Sequence, residues 1–138
     1  MRRRGRAGRA RVLVVECDPH VRRLERAFLE QQGFSVAFAS DGREALAVAA
    51  RRRPDVVVTE VLVPGLDGLA LCRRLKAEPA TAGIPVVVLS VLHVEARARE
   101  AGADAVLRKP LDDASLVATI QALLAGPSQA GPARRGRA

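Results

Sequence analysis

Six side chains in this sequence have the chemistry for a site: Glu16, Cys17, Asp18, Glu60, Ser90 and Lys109. They comprise carboxylates, a thiol, a hydroxyl and an ammonium, and they stand at or just past the ends of apolar, Val-rich runs. Glu60 is the least expected. It lies between Val56–Val58 and Val61–Val63, and an apolar stretch of that length seldom holds a charge without a partner. Lys109 is the obvious partner. A ligand cleft is one reading of the six; a purely structural Glu60–Lys109 pair is another. Asp18 also reads as a helix cap, and a lone Ser or Lys at a strand end says little alone. Other chemistries fall away. No G-x-G-x-x-G or Walker-type loop follows the first apolar run, so a Gly-rich phosphate cradle is missing. His20 and His93 are too isolated for a metal pair or a triad, and there is no G-x-S-x-G.

The elements that must position these side chains alternate along the chain. Five apolar runs, 12–15, 34–38, 56–58, 85–89 and 105–107, read as strands. The first, third and fourth are nearly continuous Val and Leu, as in strands buried on both faces of a parallel sheet. The second alternates, as an edge strand does. Helical patterns fill the gaps. Asp18-Pro19 reads as cap and first helical residue, with Leu24, Phe28 and Leu29 as the apolar stripe and Gly33 as the stop. Asp41-Gly-Arg-Glu44 resembles a capping box for a helix to about residue 52. Asp67 opens a third helix carrying Leu69, Leu71, Cys72 and Leu75. A fourth spans about 93–101, closed by Gly102. Asp112 or Asp113 caps a fifth with Leu116, Ile120, Leu123 and Leu124. Five βα units predict an α/β, doubly wound, three-layer domain over 11–125, with right-handed crossovers. In such sheets ligands bind at the carboxyl ends of strands, where the strand order reverses. Strands 1 and 3 as neighbours there would gather Glu16, Asp18, Glu60, Ser90 and Lys109.

Composition narrows the function. The chain has 138 residues, room for one domain, and is 49% hydrophobic and 28% charged, which suits a folded core. With three Phe and neither Trp nor Tyr, it lacks the aromatic platforms that stack single-stranded bases. The net charge of +8 is local. Six Arg lie in residues 2–11 and three in 134–137, which leaves 14 of 23 basic residues against all 15 acidic ones in 12–133. Residues 1–10 and 126–138 therefore read as basic, disordered tails, and no specific nucleic-acid contact is expected. Two cysteines, Cys17 and Cys72, make neither a disulfide framework nor a zinc site. No stretch is apolar enough for a membrane span, and cytoplasm is the expected compartment.

Eight fragments in order then resemble one family. They are Val12-Leu-Val-Val-Glu-Cys-Asp-Pro19, Gly33-Phe34, Asp41-Gly42-x-Glu44-Ala45-Leu46, Pro54-Asp55, Pro64-Gly65-Leu66-Asp67-Gly68, Ile84-Pro85-Val86, Gly102-Ala103-Asp104 and Lys109-Pro110. Together they resemble the receiver domain of two-component response regulators over about 11–125. The resemblance implies a flavodoxin-like (βα)5 fold with a parallel sheet in the order 2-1-3-4-5. It also implies a phosphoacceptor Asp at the end of strand 3, phosphorylated by a histidine kinase. An acidic pair after strand 1 would help hold Mg²⁺, and a hydroxyl after strand 4 and a Lys after strand 5 would contact the phosphoryl oxygens. Here the acceptor position, four residues before Pro64, is Glu60, and the acidic pair falls on Glu16 and Cys17. Ser90 and Lys109 match the hydroxyl and the Lys. The aromatic switch position falls on Val106.

These departures bear on chemistry. Glu60 extends its carboxylate by about one C–C bond, ~1.5 Å, and a misplacement of ~1 Å already costs ~10²-fold in a reaction that depends on alignment. Mg²⁺ prefers hard oxygen ligands, and a Cys thiol is a soft substitute. Glu16 and Asp18 remain as weak Mg²⁺ candidates, with no cofactor expected. The reading is a stand-alone, non-enzymatic signalling module in which Glu60 acts as a fixed charge, bridged to Lys109 and hydrogen-bonded to Ser90. Its partner, a kinase, an output protein or a second copy, would meet helix 4, strand 5 and helix 5. One alternative is a working phosphoacceptor using Glu60 or Asp18. The other is a nucleic-acid or anionic-surface tether acting through the Arg-rich tails.

Overall fold

The computed structural model describes residues 8–109 and 112–126. Its elements alternate: β1 (Arg11–Val15), α1 (Pro19–Gln31), β2 (Ser35–Ala39), α2 (Gly42–Arg52), β3 (Val56–Glu60), α3 (Gly68–Ala77), β4 (Val86–Ser90), α4 (Glu95–Glu100), β5 (Ala105–Arg108) and α5 (Asp113–Ala125). The strands form one parallel sheet in the order β2-β1-β3-β4-β5. The order reverses between β1 and β3, which pair from Val12↔Val56 to Val15↔Thr59. The alternating second run is indeed an edge strand.

Four of the five helix starts follow from aspartate. The Asp18 carboxylate accepts from the His20 and Val21 amides, Asp41 from Glu44, Asp67 from Leu69 and Ala70, and Asp112 from Ser115. Each cap satisfies amides that the first helical turn leaves without partners. Because all strands run the same way, these four caps stand at the carboxyl edge of the sheet. At α2 the box closes, since the Glu44 carboxylate accepts from the Ser40 amide at 2.7 Å.

Strand alternation divides the core between the two faces. Leu13, Val15, Val57, Val86 and Val88 pack with Ala45, Ala49, Leu71, Leu75 and Ala98. Val12, Val14, Val56, Val58 and Val87 pack with Leu29, Phe34, Val117 and Ile120. Val56–Val58 and Val86–Val88 are all at most 2% exposed. Each buried Val contributes about 1.5–3 kcal/mol from apolar burial.

Three expectations need correction. First, Leu24 does not belong to the buried stripe of α1; it is 73% exposed. Counting back from buried Leu29, the helical repeat points Glu25 and Val21 inward and sets Leu24 about 140° away. A glutamate therefore takes a core-facing position. Second, α4 is shorter than 93–101, because Val94 at its N-cap has no side chain to cap the helix and His93 is engaged by Arg108. Third, Ala10, placed in the amino-terminal tail, is buried, and its carbonyl accepts from the Ser35 amide at 2.8 Å. Residues 1–7 and 127–138 of the expected tails lie outside the described residues.

Candidate functional site

β3 ends in Glu60, and the chain must then turn sharply into α3. Gly65 has a φ of +76°, a conformation that glycine adopts without penalty. Gly68 makes the close approach: its amide donates to the Val61 carbonyl at 2.8 Å, and a Cβ there would lie 2.1 Å from the Glu60 carbonyl oxygen. This packing fixes the backbone from which Glu60 projects. On the far side, β5 runs into Lys109, whose amide donates to the Ser90 carbonyl at 2.9 Å.

The two side chains meet across the sheet. Lys109 Nζ donates to Glu60 Oε2 at 2.6 Å, with the side chains 34% and 35% exposed. A charge-assisted bond in a half-buried setting is stronger than a surface ion pair, and it compensates a carboxylate that the apolar run would otherwise leave alone. A cavity of about 40 Å³ lies between Glu60, Leu62, Ser90, Leu92 and Lys109, room for a water molecule. Leu62 and Val91 on its rim are 72% and 61% exposed.

Ser90 departs from expectation. It is buried, but its hydroxyl does not bond Glu60. Oγ donates to the Leu92 carbonyl at 3.1 Å and accepts from the Leu92 amide at 2.8 Å. The hydroxyl competes locally for the turn backbone, as Ser often does just after a strand. Val106 sits on β5 opposite Val88 and packs into the core on the α3–α4 side.

The residues after β1 are likewise committed to local structure. Glu16 Oε2 accepts from the Asp18 amide at 3.0 Å, and the Glu16 carbonyl accepts from Arg22 Nε. Asp18 Oδ1 caps α1 through the His20 amide at 2.8 Å. Cys17 is exposed between them. This donor set does not suit Mg²⁺: one carboxylate holds a backbone amide, the next caps a helix, the residue between is a thiol, and Glu60 faces an ammonium. Among the described residues no three His, Cys, Asp or Glu side chains gather closely enough to hold a metal ion. Cys72 is a buried core thiol, and burial pushes its pKa up to about 11.

One acid near the pair was not among the expected residues. Glu25 of α1 faces inward, and its Oε1 is buried without a hydrogen-bond partner among the described residues. Burial first, then the charges of Glu16 and Glu60, push its pKa up to about 7, while Lys109 pulls it down. The sequence signal was there in the helical repeat from Val21 through Glu25 to Leu29. The adjacent, more apolar Leu24 masks it.

A doubly wound five-stranded sheet with an acid from β3 and a lysine from β5 at its carboxyl edge defines a class of signalling domain. Residues 12–121 match the response regulator receiver domain family, and the chain belongs to it. It is 42% identical over 118 residues to response regulator PleD of Caulobacter vibrioides, covering 83% of this chain and 26% of that protein. It is 35% identical to protein PilH of Pseudomonas aeruginosa, covering 85% of this chain and 99% of PilH. The signal receiver domain of a histidine kinase from Syntrophus aciditrophicus superposes with a TM-score of 0.79 at 36% identity, covering 85% of this chain and 91% of that one. The chain thus spans about a quarter of PleD and nearly all of PilH. Receiver domains are signalling modules of two-component systems. No helix among the described residues is long and apolar enough to cross a membrane.

Proposed function

We propose that this receiver domain signals without being phosphorylated, with the Glu60–Lys109 pair as a permanent substitute for the phosphoryl–lysine contact. The observation that carries the reading is the 2.6 Å bond between Lys109 Nζ and Glu60 Oε2. The bond ties the β3–α3 turn to the β5–α5 turn by side chains alone. The committed carboxylates of Glu16 and Asp18 and the thiol of Cys17 support it, because phosphoryl transfer depends on a metal that neutralises charge while aligning the groups. The substitution is partial: one carboxylate carries a single charge, against nearly two on a phosphoryl group. Ser90, tied to Leu92, takes no part in the bridge, and with Val106 in place of an aromatic ring there is no side chain to swing against it.

Output on this reading passes through protein contacts at the α4–β5–α5 face. Arg108 of β5 lies 3.6 Å from Glu95 of α4 and also engages the His93 ring, while Arg97, Arg99 and Glu100 are exposed. The module works in the cytoplasm, where Cys17 and Cys72 stay reduced, and it is not an enzyme.

Acetyl phosphate with Mg²⁺, followed by intact-mass measurement, tests the reading. The expected result is no gain of a phosphoryl mass; a gain that disappears in Glu60→Gln overturns it in favour of a working acceptor. In parallel, Glu60→Gln is expected to speed amide exchange in both the β3–α3 and β5–α5 turns. Unchanged exchange there would mean that the pair holds nothing.

A further inference from the structure

The count of charges in the folded span hides how the fold distributes them. β1 begins beside the end of α2, and the Arg11 guanidinium donates to the carbonyls of Arg52 and Arg53, each at 2.8 Å. Arg9, Arg51, Arg52 and Arg53 are exposed around this corner, and none is paired with a carboxylate among the described residues. Two acids of the amino-terminal edge are already occupied. Glu30 pairs with Arg26 at 3.3 Å, and Asp55 is buried and accepts from the Arg11 amide at 2.7 Å. The described chain also enters and leaves at this end, since Gly8 and Ala125 line the same cavity of about 410 Å³. Beyond Gly8 the sequence holds Arg2, Arg3, Arg4 and Arg6, and beyond Ala125 it holds Arg134, Arg135 and Arg137.

We propose that this amino-terminal edge of the sheet, centred on Arg9, Arg51, Arg52 and Arg53, binds the phosphate backbone of duplex nucleic acid. The inference is independent of the fate of Glu60, which stands at the opposite edge. Guanidinium groups present forks that match phosphate oxygens. A duplex places a charge about every 1.7 Å along its axis, so several arginines act together and released counterions drive binding. Duplex is favoured over single strands because the corner has no exposed aromatic ring for stacking; Phe34 there is buried. It is favoured over a lipid surface because stable membrane docking takes an apolar anchor beside the charges. The exposed apolar residues Leu62, Val91 and Leu92 stand at the other edge, and Leu24 lies within α1. Contact with the backbone alone reads no sequence.

The test is fluorescence polarisation of the full chain with a labelled duplex of about 20 base pairs, from about 50 to 200 mM salt. Binding should fall steeply with salt. A triple variant, Arg51→Gln, Arg52→Gln and Arg53→Asn, should weaken binding at least about tenfold at low salt and flatten the log–log salt slope by about 2. Asn is chosen at Arg53 because φ there is +48°. A charge-matched triple elsewhere, Arg73→Gln, Arg97→Gln and Arg99→Gln, should stay within about twofold of the parent. Circular dichroism melts confirm folding, and the single variants Arg51→Gln and Arg52→Gln should each give part of the slope change. Equal losses in both triples would reduce the effect to net charge. An unchanged first triple would assign binding to the terminal arginines alone. A parent that ignores the duplex, including one that binds phosphatidylglycerol vesicles instead, would also overturn the proposal.

Discussion

At the carboxyl edge of the sheet stand Glu16, Asp18, Glu60 and Asp113, with Lys109 among them. At the amino edge, where β1 starts and α2 ends, stand Arg9, Arg51, Arg52 and Arg53. Helix polarity accounts for much of this division. In a parallel βα sheet every helix starts at the carboxyl edge and ends at the amino edge. Helix starts favour acids and helix ends favour bases, each by some 0.3–1 kcal/mol. The caps Asp18, Asp41, Asp67 and Asp112 follow the first preference, and Arg51 and Arg52 in the last turn of α2 follow the second. Glu60 and Glu25 do not cap anything. Their charges oppose burial rather than help a helix, which marks the carboxyl edge as more than a row of caps.

The comparison predicts that substitutions at the carboxyl edge cost more than those at the amino edge. Gly68→Ala should have the largest effect, because its Cβ would strike the Glu60 carbonyl and the backbone must move. Chemical denaturation should show a loss of about 2–3 kcal/mol, and a loss below about 0.5 would mean that the turn is soft. Lys109→Met should come next. It leaves Glu60 half-buried without a partner, and after allowance for solvent screening the loss is about 1–2 kcal/mol. Adding Glu60→Gln to Lys109→Met should recover part of it; no recovery would place the cost in lost packing instead. At the amino edge, Arg11→Ala removes the donor to two carbonyls at the end of α2 and should cost about 1 kcal/mol. Arg51→Gln, on the same helix end but with no side-chain bond among the described residues, should stay within about 0.5 kcal/mol.

Glu25 gives an effect that depends on pH. Its carboxyl is raised from an ordinary 4.5 to about 7 in the folded chain. Between those values the folded state keeps a proton that the unfolded state has lost, so stability falls as pH rises through the window and levels off above it. Glu25→Gln removes that loss. Its melting temperature should match the parent near pH 4 and exceed it by roughly 5–10 °C near pH 8, after allowance for solvent screening. A constant difference at both pH values would exclude titration of Glu25 as the cause.

Much of this molecule can be read from residue types. Val-rich runs separated by aspartate caps and glycine stops yield five strands, five helices and their alternation, because caps and stops act within a few residues. An acid inside an apolar run calls for a cation, and Lys109 is where the structure supplies one. Glu25 was harder to see, because Leu24 and Glu25 are adjacent and only the packing of α1 decides which turns inward.

Local rules could not say what Ser90 would bond. Its hydroxyl has the Leu92 turn two residues away and Glu60 thirty residues away, and the nearer backbone groups win because the turn holds them in reach. Nor could a sum of charges show a basic corner, since residues 9–11 and 51–53 are brought together only when β1 pairs with β3 and α2 closes over them. The chain alone determined its elements and their punctuation, which depend on neighbours in sequence. Tertiary structure decided which charges meet and which stay free, because that depends on strand order and on where each helix ends.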